Sequence, residues 1–293
     1  MPKLDPFRSP QARVRFIEKY DAVVAGWPVP CEERDVRTEF GTTHVIVSGP
    51  ASAPPLVLLH GAAATAVMWR PVIEELSATY RCYCVDTIVE GNKSIASRRI
   101  VRRANLVTWL KQVFAALDIE NARVVGLSYG GWLAANLAVQ SPELVNRLVL
   151  LCPAATFAPI VVEFYRGVFT SLLLSSPERA RRFMQWLSST PNVESDPTAD
   201  LIITALLSGS RSVPPGLAPP TVLSDDLLRR ISAPTTVVIG DREVIYRGGP
   251  RAALARAQKL IPNVHTHLMV GANHMLTIDM PRQLADELLA ALG

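Results

Sequence analysis

Cysteine is scarce in this chain, and no cysteine spacing typical of a metal site or a redox motif occurs. The 293 residues include only four cysteines, Cys31, Cys82, Cys84 and Cys152. Cys82 and Cys84 flank one residue of a predicted strand, so their side chains point to the same face and make a poor bridge with each other. Neither C-x-x-C nor a Cys/His zinc pattern is present. We therefore expect buried free thiols in a reducing compartment, the cytoplasm, and no bound metal.

The chain also lacks a long basic tract, a secretion signal and a membrane-spanning pattern. Its net charge of +4 is not gathered into one segment, and the arginine clusters at 98–103 and 179–182 fit solvated helix faces. No basic motif interleaved with aromatic residues is present, so we expect no nucleic-acid partner. The first ten residues carry charges and three prolines, which do not fit a signal peptide. The uncharged stretch at 124–142 is interrupted by Ser128 and Asn136, which favours a buried strand, turn and helix.

Apolar runs alternate with helical patterns through most of the chain, as is typical of a doubly wound parallel sheet. The composition, 49% hydrophobic and 19% charged, suits one large α/β domain or a domain with an insertion. An apolar face at 16–27 predicts an amphipathic N-terminal helix, and the runs at 33–40 and 43–47 predict an antiparallel hairpin. Further strands are predicted at 55–59, 81–85, 145–152, 234–240 and 264–270, and helices at 67–79, 99–117, 250–261 and 275–292.

The alternation stops after Pro153 and resumes near residue 225. The patterns between these points are helical, and a proline-rich loop at 214–220 ends them. Ser224, followed by two aspartates, is typical of the cap of a short helix that leads back to the sheet. We therefore predict a core at 1–153 that includes the N-terminal helix, a helical cap at 154–224, and the rest of the core at 225–293.

The pattern Gly126-x-Ser128-x-Gly130 stands between an apolar β-branched run and a helix-like run. A serine on a sharp strand-to-helix turn adopts strained backbone angles, and a Cβ at either flanking position would clash there. The helix that follows directs the positive end of its dipole at the site. The five-residue pattern alone also occurs in ordinary glycine-rich turns, but the strand before it and the helix after it favour a nucleophilic serine.

A nucleophilic serine needs a general base, and the base needs an acid that orients it. Where the serine lies on a strand–turn–helix, the acid follows it along the chain and the histidine follows the acid. His274 comes after the predicted strand at 264–270, where a loop can carry its imidazole over the sheet edge to Ser128. Asp241 and Glu243 both follow the preceding strand. Because residues two apart in an extended loop point the same way, side-chain alternation does not choose between them.

The segment His60-Gly61-Ala62 follows the predicted strand at 55–59, which we expect beside the strand that ends at Ser128. A backbone N–H from this loop, that of Ala62, can pair with the N–H of Tyr129 to form an oxyanion hole. Each of these features is weak by itself, whereas four of them in the right order, each after a strand, form a strong joint signal.

With these features the chain resembles the α/β-hydrolase superfamily over nearly its whole length. It looks like the bacterial carboxylesterase-type serine hydrolases that carry an extra N-terminal helix. The Gly-Asp-Arg-Glu-Val-Ile-Tyr run at 240–246 is similar to a subgroup with glutamate as the triad acid. The resemblance implies an α/β-hydrolase fold, a mostly parallel doubly wound sheet with an inserted helical cap. It also places the acid three residues after Gly240, at Glu243, with Asp241 as the alternative. Many members have aspartate at the position of Glu243 and glycine at the position of Asn273.

The resemblance further implies ester hydrolysis through an acyl-enzyme, with Ser128 as nucleophile, His274 as base and Glu243 as its partner. No metal or cofactor is required for this chemistry, and a serine nucleophile argues against the epoxide hydrolases and dehalogenases of this fold, which use aspartate. We expect a small-molecule ester with a lipophilic acyl group; thioesters, lactones, carbon–carbon bonds, or a ligand-binding or signalling role with little turnover are the alternatives. The N-terminal helix and the cap are the candidate surfaces for a homodimer.

Overall fold

A computed structural model describes residues 4–88, 90–174, 176–209 and 218–293 of the chain, so positions 214–217 of the predicted proline-rich loop lie outside the described residues. The strands are β1 (Cys31–Thr38), β2 (Gly41–Ser48), β3 (Pro55–Leu59), β4 (Arg81–Val85), β5 (Ile95–Ala96), β6 (Ala122–Leu127), β7 (Val145–Leu151), β8 (Thr235–Gly240) and β9 (Val264–Met269). The helices are α1 (Pro10–Ala25), α2 (Ile73–Ser77), α3 (Arg103–Ala116), α4 (Tyr129–Gln140), α5 (Val162–Leu174), α6 (Pro177–Leu187), α7 (Pro197–Ser208), α8 (Asp225–Arg229), α9 (Gly249–Leu260), α10 (Leu276–Asp279) and α11 (Pro281–Leu292).

Within the described ranges, all the strands belong to one sheet, in the order β1-β2-β4-β3-β6-β7-β8-β9, with β5 beside β2. The hairpin β1–β2 is antiparallel. The next six strands across the sheet, which are β4, β3, β6, β7, β8 and β9, run parallel to one another. Parallel strands covered on both faces are apolar throughout, and every residue of β8 is buried. The predicted mostly parallel, doubly wound sheet is therefore confirmed.

The six parallel strands end at one edge of the sheet and bring the loops that follow them together there. Leu59 pairs with Gly126 across β3 and β6, and Leu127 pairs with Leu151 across β6 and β7. At the end of β8, Gly240 pairs with Met269. Ligands of open α/β sheets bind at the carboxyl ends of the strands, so the loops that follow these strands are the place to look for a site.

Two predicted helices are interrupted by proline. The predicted helix at 67–79 is a 3-10 helix over Ala66–Val72 followed by α2, and Pro71 lies inside the 3-10 segment. The predicted helix at 275–292 is divided into α10 and α11, because Pro281 excludes the α conformation at Met280, whose φ is −143°. No helix within the described residues is both long enough and apolar enough to cross a bilayer.

The N-terminal helix α1 packs on this chain's own fold. Phe16 and Tyr20 on its apolar face are fully buried, and the ring of Phe16 lies 5.3 Å from that of Phe7. Lys19 on the same helix forms an ion pair with Asp200 of α7, with 2.6 Å between nitrogen and oxygen. The apolar face of α1 is therefore covered within the chain.

Helices α5, α6 and α7 lie between β7 and β8, and the two ends of this inserted segment meet. The N–H of Leu223 donates to the carbonyl of Thr156 at 3.2 Å. Arg256 of α9 donates to the carbonyls of Phe157 at 3.0 Å and Leu223 at 2.7 Å, and it binds the Asp225 carboxylate at 2.7 Å. A single guanidinium thus holds both ends of the insertion against the core.

Replacement of this guanidinium should lower the stability of the protein. We expect Arg256→Ala to reduce the free energy of unfolding by about 1–3 kcal/mol, because carbonyls at both ends of the insertion lose their donor. Arg251→Ala, at an exposed position of the same helix, is the control and should change it by less than about 0.5 kcal/mol. Urea unfolding followed by circular dichroism measures both; equal effects of the two variants would contradict the clamp.

Candidate active site

Ser128 occupies the turn between β6 and α4 in a strained conformation. Its φ is 53° and its ψ is −114°, a combination that few non-glycine residues adopt. The two flanking glycines are required by close packing. A Cβ at Gly126 would lie 2.2 Å from the carbonyl oxygen of Gly130, and a Cβ at Gly130 would lie 2.1 Å from that of Leu59. The strain therefore falls on the serine itself, while the glycines allow the turn to fit against β3.

The structure brings Ser128, His274 and Glu243 into one buried chain of hydrogen bonds. His274 Nε2 lies 3.0 Å from Ser128 Oγ, and His274 Nδ1 lies 2.7 Å from Glu243 Oε2. The other carboxylate oxygen accepts a hydrogen bond from the N–H of Ile245 at 2.9 Å. The three side chains are at most 5% exposed. This is the geometry of a nucleophile, a base and an acid that orients the base.

The charge on Glu243 is maintained despite its burial. Burial alone would raise the pKa of this carboxyl, but the His274 imidazole, the Cys152 side chain and the Ile245 N–H lower it below its ordinary value. An ionised carboxylate is the form that stabilises an imidazolium next to it. The acid of this constellation is therefore in its active state at neutral pH.

Cys152 lies beside Glu243, and no motif in the sequence indicated this contact. Burial, with a further contribution from the Glu243 carboxylate, raises the pKa of this thiol well above its ordinary value, so it is a neutral S–H group. Within the described residues, Cys152, Glu243 and His274 form the one cluster whose donor atoms lie close enough to hold a metal ion. Hydrogen bonding of Cys152 and His274 to Glu243 accounts for this cluster. The one signal for Cys152 was its position at the end of β7.

Asp241 is not in contact with the histidine. Its carboxylate accepts a hydrogen bond from the N–H of Gly271 at 2.8 Å, and its own N–H donates to the carbonyl of Met269. Asp241 therefore ties the loop after β8 to the loop after β9. This is the usual role of an aspartate in a turn.

The loop that carries His274 is bound to the inserted segment. The amide of Asn273 donates to the carbonyl of Trp186 at 3.0 Å, and the N–H of His274 donates to that of Leu187 at 3.0 Å. Asp279 accepts from the N–H of Asn273 at 2.8 Å and also from residues that follow α6. The side chain of Asn273 thus serves as an additional bridge from this loop to the end of α6. The contacts of Asp279 with the residues that follow α6 could not be found from a local pattern, because they span about 90 positions.

The loop after β3 lies against Ser128. A Cβ at Gly61 would stand 3.3 Å from that of Ser128, and Ala62 lines the same cavity as the serine and His274. Tyr129 is the first residue of α4, where an N–H has no acceptor within the helix. Two backbone N–H groups, those of Ala62 and Tyr129, are thus the candidates for an oxyanion hole.

A cavity of about 370 Å³ opens above Ser128. Its floor is formed by the loops at the sheet edge, and its roof and walls come largely from the insertion. The inserted apolar side chains in its lining are Ala154, Ile160, Phe164, Tyr165, Val168, Phe169, Phe183, Met184, Leu187, Ile202, Leu206, Pro219 and Pro220. The reactive atoms therefore face a mainly apolar space of the size that holds a drug-sized molecule.

A comparison with protein families matches the model of the alpha/beta hydrolase family to residues 56–287, which is most of the chain. The chain belongs to this family. Its relatives include the uncharacterized carboxylesterase nap of Bacillus subtilis, 35% identical over 94% of this chain and 91% of that protein. The carboxylesterase YbfK of the same organism is 32% identical over 98% of this chain and 96% of its own length.

Solved structures of α/β-hydrolases have the same fold along almost the whole chain. The crystal structure of naproxen esterase from Bacillus subtilis superposes with a TM-score of 0.90 and 33% identity, and it covers 97% of this chain and 99% of that one. The structure of carboxylesterase CesB (YbfK) has a TM-score of 0.88 and 32% identity, with 96% and 98% covered. The expected α/β-hydrolase fold and the resemblance to bacterial carboxylesterases are therefore confirmed.

The two candidate acids can be separated by a pair of isosteric changes. We expect Glu243→Gln to lower kcat by about 10³- to 10⁴-fold, because an amide cannot stabilise the imidazolium and favours the wrong tautomer. Asp241→Asn keeps an acceptor for the Gly271 N–H and should cost about tenfold or less. Steady-state kinetics at neutral pH measures both. The reverse ranking, with both variants folded by circular dichroism, would move the acid to Asp241.

Proposed function

We propose that this chain is a carboxylesterase that hydrolyses esters with a bulky apolar acyl group through an acyl-enzyme on Ser128. The observation that carries the proposal is the buried hydrogen-bond chain from Ser128 through His274 to Glu243, with distances of 3.0 Å and 2.7 Å. The carboxylesterase relatives, at 32–35% identity over nearly the full length, support ester hydrolysis.

In the proposed mechanism Ser128 Oγ attacks the ester carbonyl carbon while His274 Nε2 takes the hydroxyl proton. The N–H groups of Ala62 and Tyr129 stabilise the oxyanion of the tetrahedral intermediate, as donors in an oxyanion hole do. His274 then gives the proton to the departing alcohol, and the acyl group stays on the serine. A water molecule, deprotonated by the same imidazole, releases the carboxylic acid and restores the enzyme. Glu243 stabilises the imidazolium in both halves.

The apolar character of the cavity supports a hydrophobic acyl or aryl group as the part of the substrate that is recognised. Its volume of about 370 Å³ is within the range of small-molecule sites. A relative of known structure is named naproxen esterase. We propose that residues 154–224 form a cap that provides this pocket. Thioesters, lactones and carbon–carbon bonds are secondary substrate classes on the same machinery.

Two further assignments belong to this proposal. All four cysteines are free, and three are buried, which supports a reducing compartment, the cytoplasm.

A homodimer would use the cap, where Val162, Tyr165 and Phe169 of α5 are exposed apolar side chains. The N-terminal helix is the weaker candidate because its apolar face is covered within the chain. Light scattering during size-exclusion chromatography gives the mass in solution.

Replacement of the nucleophile should abolish turnover. We expect Ser128→Ala to lower kcat by about 10⁴-fold or more without unfolding the protein, and to prevent covalent labelling by a fluorophosphonate. Ser97→Ala, at an exposed position, is the control and should be labelled like the wild type. Labelling of the Ser128 variant at full yield would contradict the assignment. Wild-type labelling without turnover of any p-nitrophenyl ester would favour the ligand-binding alternative.

Aromatic residues of the cap should control the choice of acyl chain. Tyr165 and Phe169 line the cavity, whereas Val162 is exposed on the same helix and does not. We expect Tyr165→Ala and Phe169→Ala to shift the preferred acyl length, with changes of about 10-fold or more in relative kcat/KM between short and long esters. Val162→Ala is the matched control. If the acyl-length profile stays the same in all three variants, the insertion does not determine substrate choice.

A further inference from the structure

Glu90 is a buried carboxyl behind the loop that carries Ala62, and the mechanism described above does not use it. Its side chain is 4% exposed. One carboxyl oxygen, Oε1, accepts a hydrogen bond from the N–H of Ala63 at 3.2 Å. The other, Oε2, has no hydrogen-bond partner among the residues that the structure describes. A buried polar atom without a hydrogen-bond partner costs free energy, so a structural or functional reason for Glu90 is expected.

His60 holds the other end of the same loop. The N–H of Thr87 donates to His60 Nε2 at 2.8 Å, so that nitrogen is an acceptor and the ring proton is on Nδ1. Nδ1 in turn donates to the carbonyl of Gly61 at 2.8 Å. Burial lowers the pKa of this imidazole, which keeps it neutral. Ala62 therefore lies between two anchors, His60 at Gly61 and Glu90 at Ala63.

The backbone at the Glu90 anchor is strained. Ala63 has a φ of 59°, in the left-handed region that a residue with a Cβ seldom adopts. Strain of this kind costs of the order of 1–3 kcal/mol and persists only where the surroundings hold it. The N–H of Ala64 closes a turn on the carbonyl of Gly61 at 3.2 Å. The bond from Ala63 to Glu90 is the side-chain contact that holds the N–H of the strained residue itself.

The protonation state of Glu90 affects the charge at the candidate oxyanion hole. Burial raises the pKa of Glu90 to about 8, with a smaller increase from Asp86 and an opposing effect of the Ala63 N–H. Burial, with a further contribution from Glu90, raises the pKa of the Tyr129 phenol. A negative charge here would oppose the oxyanion that forms during acyl transfer.

The other groups that face Glu90 are His60, Asp86 and the N-terminal pair Asp5 and Arg13. His60 Nδ1 lies 3.6 Å from Glu90 Oε2, and the Asp86 carboxylate accepts backbone N–H groups of its own. Asp5 and Arg13 line, with Glu90, a second cavity of about 330 Å³. Their charges are opposite and 3.9 Å apart, so they largely offset each other. Protons from solvent can reach Glu90 through this cavity.

We propose that Glu90 is a positioning residue for ester hydrolysis: its neutral carboxyl fixes Ala63, and thereby directs the N–H of Ala62 at the oxyanion. The inference rests on the proposed function, because it assigns Ala62 to the oxyanion hole. It makes two separable statements. The acceptor oxygen of Glu90 is needed for turnover, and ionisation of Glu90 reduces turnover at alkaline pH.

Two substitutions of Glu90 test these statements, with an exposed glutamate as the control. Glu90→Gln keeps an oxygen for the Ala63 N–H but cannot ionise, Glu90→Ala removes the acceptor, and Glu75→Gln changes an exposed charge on α2. Steady-state kinetics with a p-nitrophenyl ester between about pH 6 and pH 10 gives kcat and KM for each. Thermal unfolding and circular dichroism of each variant report the fold.

We expect Glu90→Ala to lower kcat by about 10- to 100-fold with KM changed by less than about threefold, since only the transition state uses the loop N–H. Glu90→Gln should restore most of kcat at neutral pH. Wild type and Glu75→Gln should lose activity as the pH rises through about 8, the pKa of Glu90, and Glu90→Gln should not. If Glu90→Ala fails to fold, the inference is tested by Glu90→Gln alone, which should not show the alkaline loss of activity.

Four results would overturn the inference. An alkaline loss that Glu90→Gln retains unchanged would remove the role of ionisation. If both Glu90 variants lose kcat equally, and in proportion to their loss of thermal stability, Glu90 has a structural role only. Wild-type kcat in Glu90→Ala would exclude positioning while the esterase proposal stands, provided that the wild type turns over and Ser128→Ala does not. A wild type that hydrolyses no ester would overturn both proposals.

Discussion

The backbone of Ser128 is held in a conformation that costs free energy, and the arrangement of the whole site depends on the bonds that hold it there. Its N–H donates to the carbonyl of Leu151 at 2.9 Å, and its carbonyl accepts from the N–H groups of Trp132 at 3.0 Å and Ala154 at 2.9 Å. These bonds join the nucleophile to its helix, to the end of β7 and to the first residue of the insertion. Hydrogen bonds to three separate parts of the fold thus hold one residue in a conformation that costs roughly 1–3 kcal/mol.

Hydrogen bonds join the inserted segment to the edge of the sheet that carries Ser128. The phenol of Tyr129 donates to the carbonyl of Ala218 at 2.9 Å, and the indole of Trp132 donates to that of Thr221 at 3.0 Å. Both side chains belong to the helix that begins at the nucleophile. The returning end of the insertion is therefore attached directly to α4, so the pocket above Ser128 and the serine itself are built as one unit. The lining of the pocket and the backbone of Ser128 are therefore coupled through α4.

Much of the site could be predicted because the carboxyl ends of parallel strands share one edge. Ser128, Glu243 and His274 each follow a strand, so their proximity came from strand order without any knowledge of side-chain contacts. The choice between Glu243 and Asp241 could not be made from alternation, and it depends on a loop whose turn is closed by a bond between Glu243 and Gly240. Glu90 gave no signal at all, since its role depends on a contact with Ala63, 27 positions away, and on burial. The breaks at Pro71 and Pro281 follow from the backbone restrictions of proline and were within reach of the sequence.

The carbonyl of Leu187, at the end of α6, receives the N–H groups of both His274 and Met275, at 3.0 Å and 3.2 Å. Lifting this end of the insertion away from the core would leave two buried donors unsatisfied beside the imidazole, at a cost of about 1–3 kcal/mol for each. The two sides of the insertion therefore differ. The α6 side is bound to the loop that carries His274, whereas Tyr165 and Phe169 on the α5 side line the cavity and are also 48% and 57% exposed to solvent.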